Sequence, residues 1–285
     1  MDYKRTYDCP PTLTDTQVLD FCKNGYLLLK GVVPQDINRR VFEYLETNTH
    51  YEPTEILGFD WFVENVICNA AAAGAVRCLL GRNFGLPVLM SNHRRQCPHQ
   101  LIGGWHVDGG SRWGPELRDL QVFYYPQETP LEMGPTEVLP GSHLVPNTQR
   151  AMAHYGRIRG AASTAAPAGS IFITAYRIWH RATPASGSGI RNMLKYCYWR
   201  TEPPVRDWLR EPDFDLALAN FSGPAAGLGE QFHECYSAAE MFCWLAGEHR
   251  HYQVVGGQSW PLPAKRRDLP YGFPQALWPH RERSG

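Results

Sequence analysis

The chain has 285 residues, 43% of them hydrophobic and 20% charged, with 28 Lys plus Arg against 28 Asp plus Glu. That apolar content excludes disorder over the whole chain. A formal charge of zero, with no basic run longer than "KRR" at 265–267, argues against nucleic acid as the main partner.

The amino-terminal stretch "MDYKRTYDCPPTLTD" lacks the apolar core of a secretory signal, and no segment reaches the roughly 18 apolar residues of a membrane span. Eight cysteines (Cys9, Cys22, Cys68, Cys78, Cys97, Cys197, Cys235, Cys243) contain no C-x-x-C pair. They read as reduced, buried thiols in a cytoplasmic protein and not as a zinc knuckle.

Punctuation along "LTDTQVLDFCKNGYLLLKGVVPQDINRRVFEYLE" is clear. Thr14 or Asp15 caps a short helix whose Val18, Leu19 and Cys22 share a face. Asn24-Gly25 ends it, "YLLLKGVV" follows as a buried strand, and Pro34 opens a second helix. "VENVICNAAAAGAVRCLLG" predicts one Ala-rich third helix closed by Gly81. From about residue 86 the chain turns to short β-prone runs split by Gly and Pro: "LPVLMSNHRRQ", "LIGGWHVDGG", "DLQVFYYP", "TEVLPGSH", "SIFITAYRIWH" and "RNMLKYCYWR". Such runs predict a β-sandwich or jelly roll. Beyond residue 202 the sequence is rich in Pro, Gly and Trp. No linker divides it, so the expectation is one domain over 1–285: a helical layer to about 85, a jelly-roll core at about 86–201, and a cap or lid at about 202–285 packed over the barrel mouth.

"GGWHVDGGSRWG" at 103–114 holds the first chemical signal. His106 and Asp108, at i and i+2 of an extended segment, project to one face and suit two neighbouring corners of a metal. Spacing alone is cheap: eleven His and twelve Asp give about 0.5 His-x-Asp triplets by chance. Two His-x-Glu triplets, at 50–52 and 280–282, lack flanking β-prone runs. A third ligand must come from elsewhere, and two His plus one carboxylate is the ligand set of non-haem Fe(II) oxygenases. His180, ending "SIFITAYRIWH", is the candidate. The loop "RATPASGSGI" then returns the chain as a hairpin that brings Arg191 near the metal. There a guanidinium suits the far carboxylate of a dicarboxylic co-substrate. Lys195 and Arg177 are the alternative cations for that grip.

From "DFCKNGYLLLKGVV" through "CLLGRNF", "WHVDGG", "MGPTEVLPGSH" and "WHRATPASGSGIRNMLKY", about residues 18–200, the chain resembles the phytanoyl-CoA dioxygenase family of Fe(II)/2-oxoglutarate oxygenases. The resemblance implies a mainly β fold, a double-stranded β-helix (jelly-roll, cupin-like) with flanking amino-terminal helices. It implies Fe(II) on His106, Asp108 and His180, and 2-oxoglutarate and O2 as co-substrates, with Arg191 on the distal carboxylate. Tyr124 and Asn92 sit where the family often places co-substrate contacts. The family commonly has a small hydroxyl donor two residues after the distal His. Here that residue is Ala182, which leaves Thr183 to supply the contact.

The expected reaction is hydroxylation of an unactivated C–H bond in a small or medium organic metabolite, with 2-oxoglutarate decarboxylated to succinate. Desaturation, cyclisation or epimerisation in natural-product biosynthesis differ from it only in substrate placement. A metal-binding jelly roll without turnover belongs to another class, and an intact triad with Arg191 speaks against it. Arg112, Trp113 and Tyr176 are candidate substrate contacts, with Trp105, Trp179 and Trp199 divided between a substrate cage and ordinary core. Arg94, Arg95, Arg112 and Arg118 are the cations available to substrate phosphates or carboxylates. His143 in "PGSH" reads as a structural residue at a turn, and His249 with His251 as surface residues.

Overall fold

The computed structural model describes residues 5–108, 114–144, 155–220 and 228–248. The first ordered element, β1 (Thr6–Tyr7), precedes helix α1 (Asp15–Asn24). Thr14 closes a capping box with Gln17 at the start of α1, and Gly25 ends it in the left-handed region at φ 75°. The strand expected over "YLLLKGVV" is shorter and only half-buried: β2 covers Tyr26–Leu29, and Gly31, at φ 59°, turns the chain out of it. Pro34 then caps α2 (Gln35–Thr47).

The single third helix splits in two. A short α3 (Asp60–Phe62) runs into a π turn over Val63–Ile67, and a separate α4 spans Ala70–Leu80. Asn69 causes the break, because its side chain accepts the Ala72 backbone N–H at 3.3 Å and so starts a new helix. Almost every residue of α4 is buried, Arg77 included, whose guanidinium is held by Asp8 and Asp207.

Ten strands follow this layer among the described residues, the first nine being β3 (Phe84–Gly85), β4 (Ser91–Asn92), β5 (Arg95–His99), β6 (Asp119–Tyr125), β7 (Glu137–Val138), β8 (Ala162–Ser163), β9 (Ser170–Ala175), β10 (His180–Arg181) and β11 (Ala185–Arg191). The last strand, β12, spans Leu194–Trp199. The major sheet has the order β1-β3-β12-β6-β9-β2, with β4 also paired to β12. Opposite lie a three-stranded sheet, β10-β7-β8, and a pair, β11-β5. The first 85 residues thus contribute three strands to the major sheet besides their helices.

The expected hairpin from His180 to Arg191 is not formed as such. "ASGSGIR" is itself strand β11, which pairs with β5, while β10 pairs with β7 and β12 with β6. Small residues permit this. Gly187 approaches the Glu132 carbonyl so closely that a Cβ would lie 3.0 Å from it, and the β11–β5 register shifts between Ala185 and Gly189.

The main core lies between the helices and the outer face of the major sheet, where Leu120, Val122, Tyr124, Ile171, Ile173, Leu194, Tyr196 and Tyr198 meet α1, α2 and α4. The last element, α5 (Leu228–Leu245), packs on α1. Trp208 and Phe214 hold Phe242 at ring separations of 5.5 and 5.3 Å. Arg206, Trp208 and the Glu211 N–H all bond to the buried carboxylate of Asp15. The described part of the carboxyl-terminal segment thus packs on the helical layer. Residues 249–285, with His249 and His251, lie outside the described residues, and no single described helix is long and apolar enough to cross a membrane.

Candidate metal centre

Facing strands form the site. His106 and His180 exchange both backbone hydrogen bonds across an isolated antiparallel bridge, at 3.1 and 2.9 Å, which sets their imidazoles 4.4 Å apart. Each ring has its Nδ1 against a backbone carbonyl two residues earlier, Gly104 at 2.9 Å and Ile178 at 3.1 Å. With Nδ1–H donating there, each Nε2 carries the lone pair. Both Nε2 atoms face Asp108 Oδ1, at 3.9 Å from His106 and 3.7 Å from His180.

One ligand atom from each of His106, Asp108 and His180 lies within 4.8 Å of the other two. The gaps to Asp108 Oδ1, 3.9 and 3.7 Å, exceed the about 3 Å between neighbouring octahedral corners at about 2.1 Å bonds, so the three side chains would have to draw inward on a metal. His180 is buried, and its Nε2 has no hydrogen-bond partner. Burial, with Lys195 nearby, pushes its pKa down to about 3, so the ring is neutral. Burial raises the Asp108 carboxyl, but Lys195 and His180 outweigh it and hold the pKa below the usual carboxylate value. A neutral His180 imidazole and an ionised Asp108 carboxylate are the charge states a divalent cation requires of these two ligands.

Asp108's other oxygen, Oδ2, is taken by the Lys195 ammonium and by the Gln121 amide. The β6–β12 register pairs Lys195 with Phe123 and Cys197 with Gln121, so these four side chains share the inner face of the major sheet. Phe123 lies between the groups, its ring centroid 5.7 Å from that of His180 and 5.8 Å from Lys195 Nζ. A cavity of about 510 Å³ opens on this side, lined among others by Asp108, Gln121, Lys195, Tyr176 and Trp199.

Arg191 is buried at the end of β11, its Nε unpartnered, with Tyr125 and Cys97 as neighbours. Its burial lowers the guanidinium pKa. Tyr125 is one same-face step along β6 from Phe123, about 7 Å, which places Arg191 farther down the same interior than the triad.

Other expected contacts lie elsewhere. Tyr124 points to the opposite face of β6, where its hydroxyl donates to Asn38 at 2.7 Å inside the helix-sheet core, so it is not brought to the site. Thr183 donates to the Pro135 carbonyl at 2.6 Å. Asn92 is buried, donating to Asn192 at 2.9 Å and accepting from the Met193 N–H, one step behind Arg191. Trp105 and Trp179 are core residues. Arg94 pairs with Glu46 and Arg118 with Glu116. His143 is buried against the Cys22 carbonyl at 3.0 Å. Arg112 and Trp113 lie outside the described residues.

Gln121 and the Asp108 contact of Lys195 escaped the sequence reading. One signal existed: Gln121 is the single uncharged polar residue in the run "DLQVFYY" and marks the parity of the inner face.

No family model matches the chain, and no curated protein does. Solved structures do. HygX from Streptomyces hygroscopicus, with nickel and 2-oxoglutarate bound, is similar at a TM-score of 0.54 and 16% identity over 67% of this chain and 88% of that one. The carbocyclase SnoK of nogalamycin biosynthesis gives 0.53 and 17% over 67% and 87%, and the epimerase SnoN of the same pathway 0.51 and 15% over 64% and 81%. At these identities the likeness establishes the fold: the chain is a mainly β jelly roll of the kind these proteins adopt.

Proposed function

We propose that the chain is a non-haem Fe(II)/2-oxoglutarate-dependent oxygenase that hydroxylates an unactivated C–H bond of a small or medium organic metabolite. The convergence of His106 Nε2, His180 Nε2 and Asp108 Oδ1 on one point carries this reading. Iron bound there supplies the oxidative chemistry, with 2-oxoglutarate going to succinate and carbon dioxide. His106, His180 and Asp108 hold the metal at three corners of one face and leave the other positions open. Arg191, a buried cation with an unpartnered donor, receives the distal carboxylate of 2-oxoglutarate. Tyr125 lies beside that guanidinium and helps to orient it. The 510 Å³ cavity beside Asp108 holds the substrate, with Tyr176 and Trp199 in its wall.

The order of motifs supports a phytanoyl-CoA dioxygenase-like branch of the fold. Seven free cysteines among the described residues support a cytoplasmic setting. The named epimerase and carbocyclase neighbours favour a second outcome at the same site, in which substrate placement turns the reaction to epimerisation or ring closure.

Succinate formation from 2-oxoglutarate, followed with and without Fe(II) in air, tests the reading. Iron-dependent succinate that disappears in His180→Ala supports it. Succinate formation at the same rate without iron, or none under any condition, overturns it. The mass of any small molecule that co-purifies identifies the substrate.

A further inference from the structure

A carboxylate ligand has two oxygens, and the site described above uses one. Asp108 is partly exposed, at 24% of its side chain, on a segment that forms no regular strand, so local backbone structure does not fix its rotation. Instead, two donors from neighbouring strands take the same oxygen, Oδ2. The Lys195 ammonium comes from β12 and the Gln121 amide from β6. Both are anchored. Gln121 is fully buried, and its backbone carbonyl accepts the Thr174 hydroxyl at 3.0 Å. Lys195 is 14% exposed and rests over the Phe123 ring. With Oδ2 occupied twice, Oδ1 is the oxygen left for the imidazoles, and both Nε2 atoms face it.

We infer that Lys195 and Gln121 are positioning residues that clamp the outer oxygen of Asp108 and present a single oxygen to the metal. The inference rests on the metal-holding part of the proposed function. It explains a placement that electrostatics alone opposes, since a lysine beside a divalent cation repels it. A clamp on a ligating carboxylate offsets that repulsion by fixing the ligand's direction before the metal arrives. It also has a consequence for the open face. Asp108, Gln121 and Lys195 all line the substrate cavity. A carboxylate free to rotate there would turn its second oxygen into the position that faces the substrate.

Cobalt(II) titration of the full chain under identical conditions tests the clamp, because its visible absorption also reports ligand geometry. Lys195→Met and Gln121→Leu should each weaken cobalt binding by about tenfold or more, with an altered cobalt spectrum. Lys195→Arg, which restores a charged donor, should stay within about threefold of the unsubstituted chain. The sign is diagnostic: if Lys195 contributed only charge, its loss would tighten metal binding. Unchanged or tighter binding in both folded variants, as judged by their melting curves, overturns the clamp. Should Lys195→Met not fold, Gln121→Leu decides alone. His106→Ala separates the two claims. If it binds cobalt as well as the unsubstituted chain does, the metal site itself is wrong and the clamp falls with it. If it loses cobalt while the clamp variants do not, only the clamp falls.

Discussion

The two faces of strand β6 differ in one respect that separates stability from chemistry. On the outer face, Leu120, Val122 and Tyr124 meet the helices, and the one polar atom there, the Tyr124 hydroxyl, is bonded to Asn38. On the inner face, Gln121, Phe123 and Tyr125 look toward groups left incomplete: His180 Nε2, Gln121 Oε1 and Arg191 Nε have no hydrogen-bond partner. Buried polar atoms without partners cost stability, so folds retain them where a ligand completes them. The outer face of the sheet has one such atom too, the Tyr196 hydroxyl beside Val122, so it is the gathering of three of them on the inner side that marks the site.

Substitutions on the two faces should therefore give opposite phenotypes. The largest effect belongs to the inner side. Arg191→Ala should leave metal affinity within a few-fold and weaken 2-oxoglutarate by about 30- to 1000-fold, the loss of one bidentate charge-assisted contact worth about 2–4 kcal/mol. Calorimetric titration of the metal-loaded chain reads this directly. Unchanged affinity would make Arg191 structural and break the comparison.

Tyr124→Phe is the outer counterpart. It strips the partner from a buried Asn38 oxygen and should cost about 1–3 kcal/mol of unfolding free energy in denaturant titration. Its 2-oxoglutarate affinity should not move. A co-substrate defect without loss of stability would place Tyr124 at the site after all.

Taken per pH unit, the smallest effect is a slope in stability away from the metal. His143 is buried, and burial together with the nearby Arg177 pushes its pKa from 6.5 down to about 3. The unfolded chain takes up that proton as pH falls below 6.5, whereas the folded chain resists until about 3. Stability is therefore complete above 6.5 and declines through this window, by up to about 1.4 kcal/mol per pH unit for this one group. Melting curves of the metal-free chain and of His143→Gln should differ most near pH 7 and converge on acidification. A gap that stays constant with pH would contradict the assignment.

Much of this was legible beforehand because it depends on local pattern. Thr14 or Asp15 announced the start of α1, Asn24-Gly25 its end, and short β-prone runs split by Gly and Pro announced a β-rich middle. His106, Asp108 and His180 were legible as a set through residue type and motif order. The rest depended on pairing between distant segments. Only Ile190 in "ASGSGIR" carries strand propensity; the segment becomes β11 because β5 offers an edge and its glycines tolerate a shifted register. Tyr124 was misplaced because "FYY" is apolar at every position and shows no parity. The one parity marker in the run is Gln121, which shares a face with Phe123 and Tyr125, and pairing with β9 and β12 makes that face the inner one. Asn69 was hidden inside an Ala-rich run whose propensity reads as continuous helix. Lys195 was visible as a cation, but its hold on Asp108 comes from the β6–β12 register.

In the proposed function one iron and one 2-oxoglutarate meet at His106, Asp108 and His180. The visible charge-transfer absorption of a keto acid chelated to Fe(II), followed anaerobically while 2-oxoglutarate is titrated into the chain with and without iron, tests it most directly. His106 is the accessible comparison, because its side chain is 41% exposed and its loss leaves the core intact. The account predicts an absorption that needs both iron and 2-oxoglutarate, saturates at one equivalent of each, and is absent in His106→Ala. An absorption of the same strength in His106→Ala, or none in the unsubstituted chain, would contradict it.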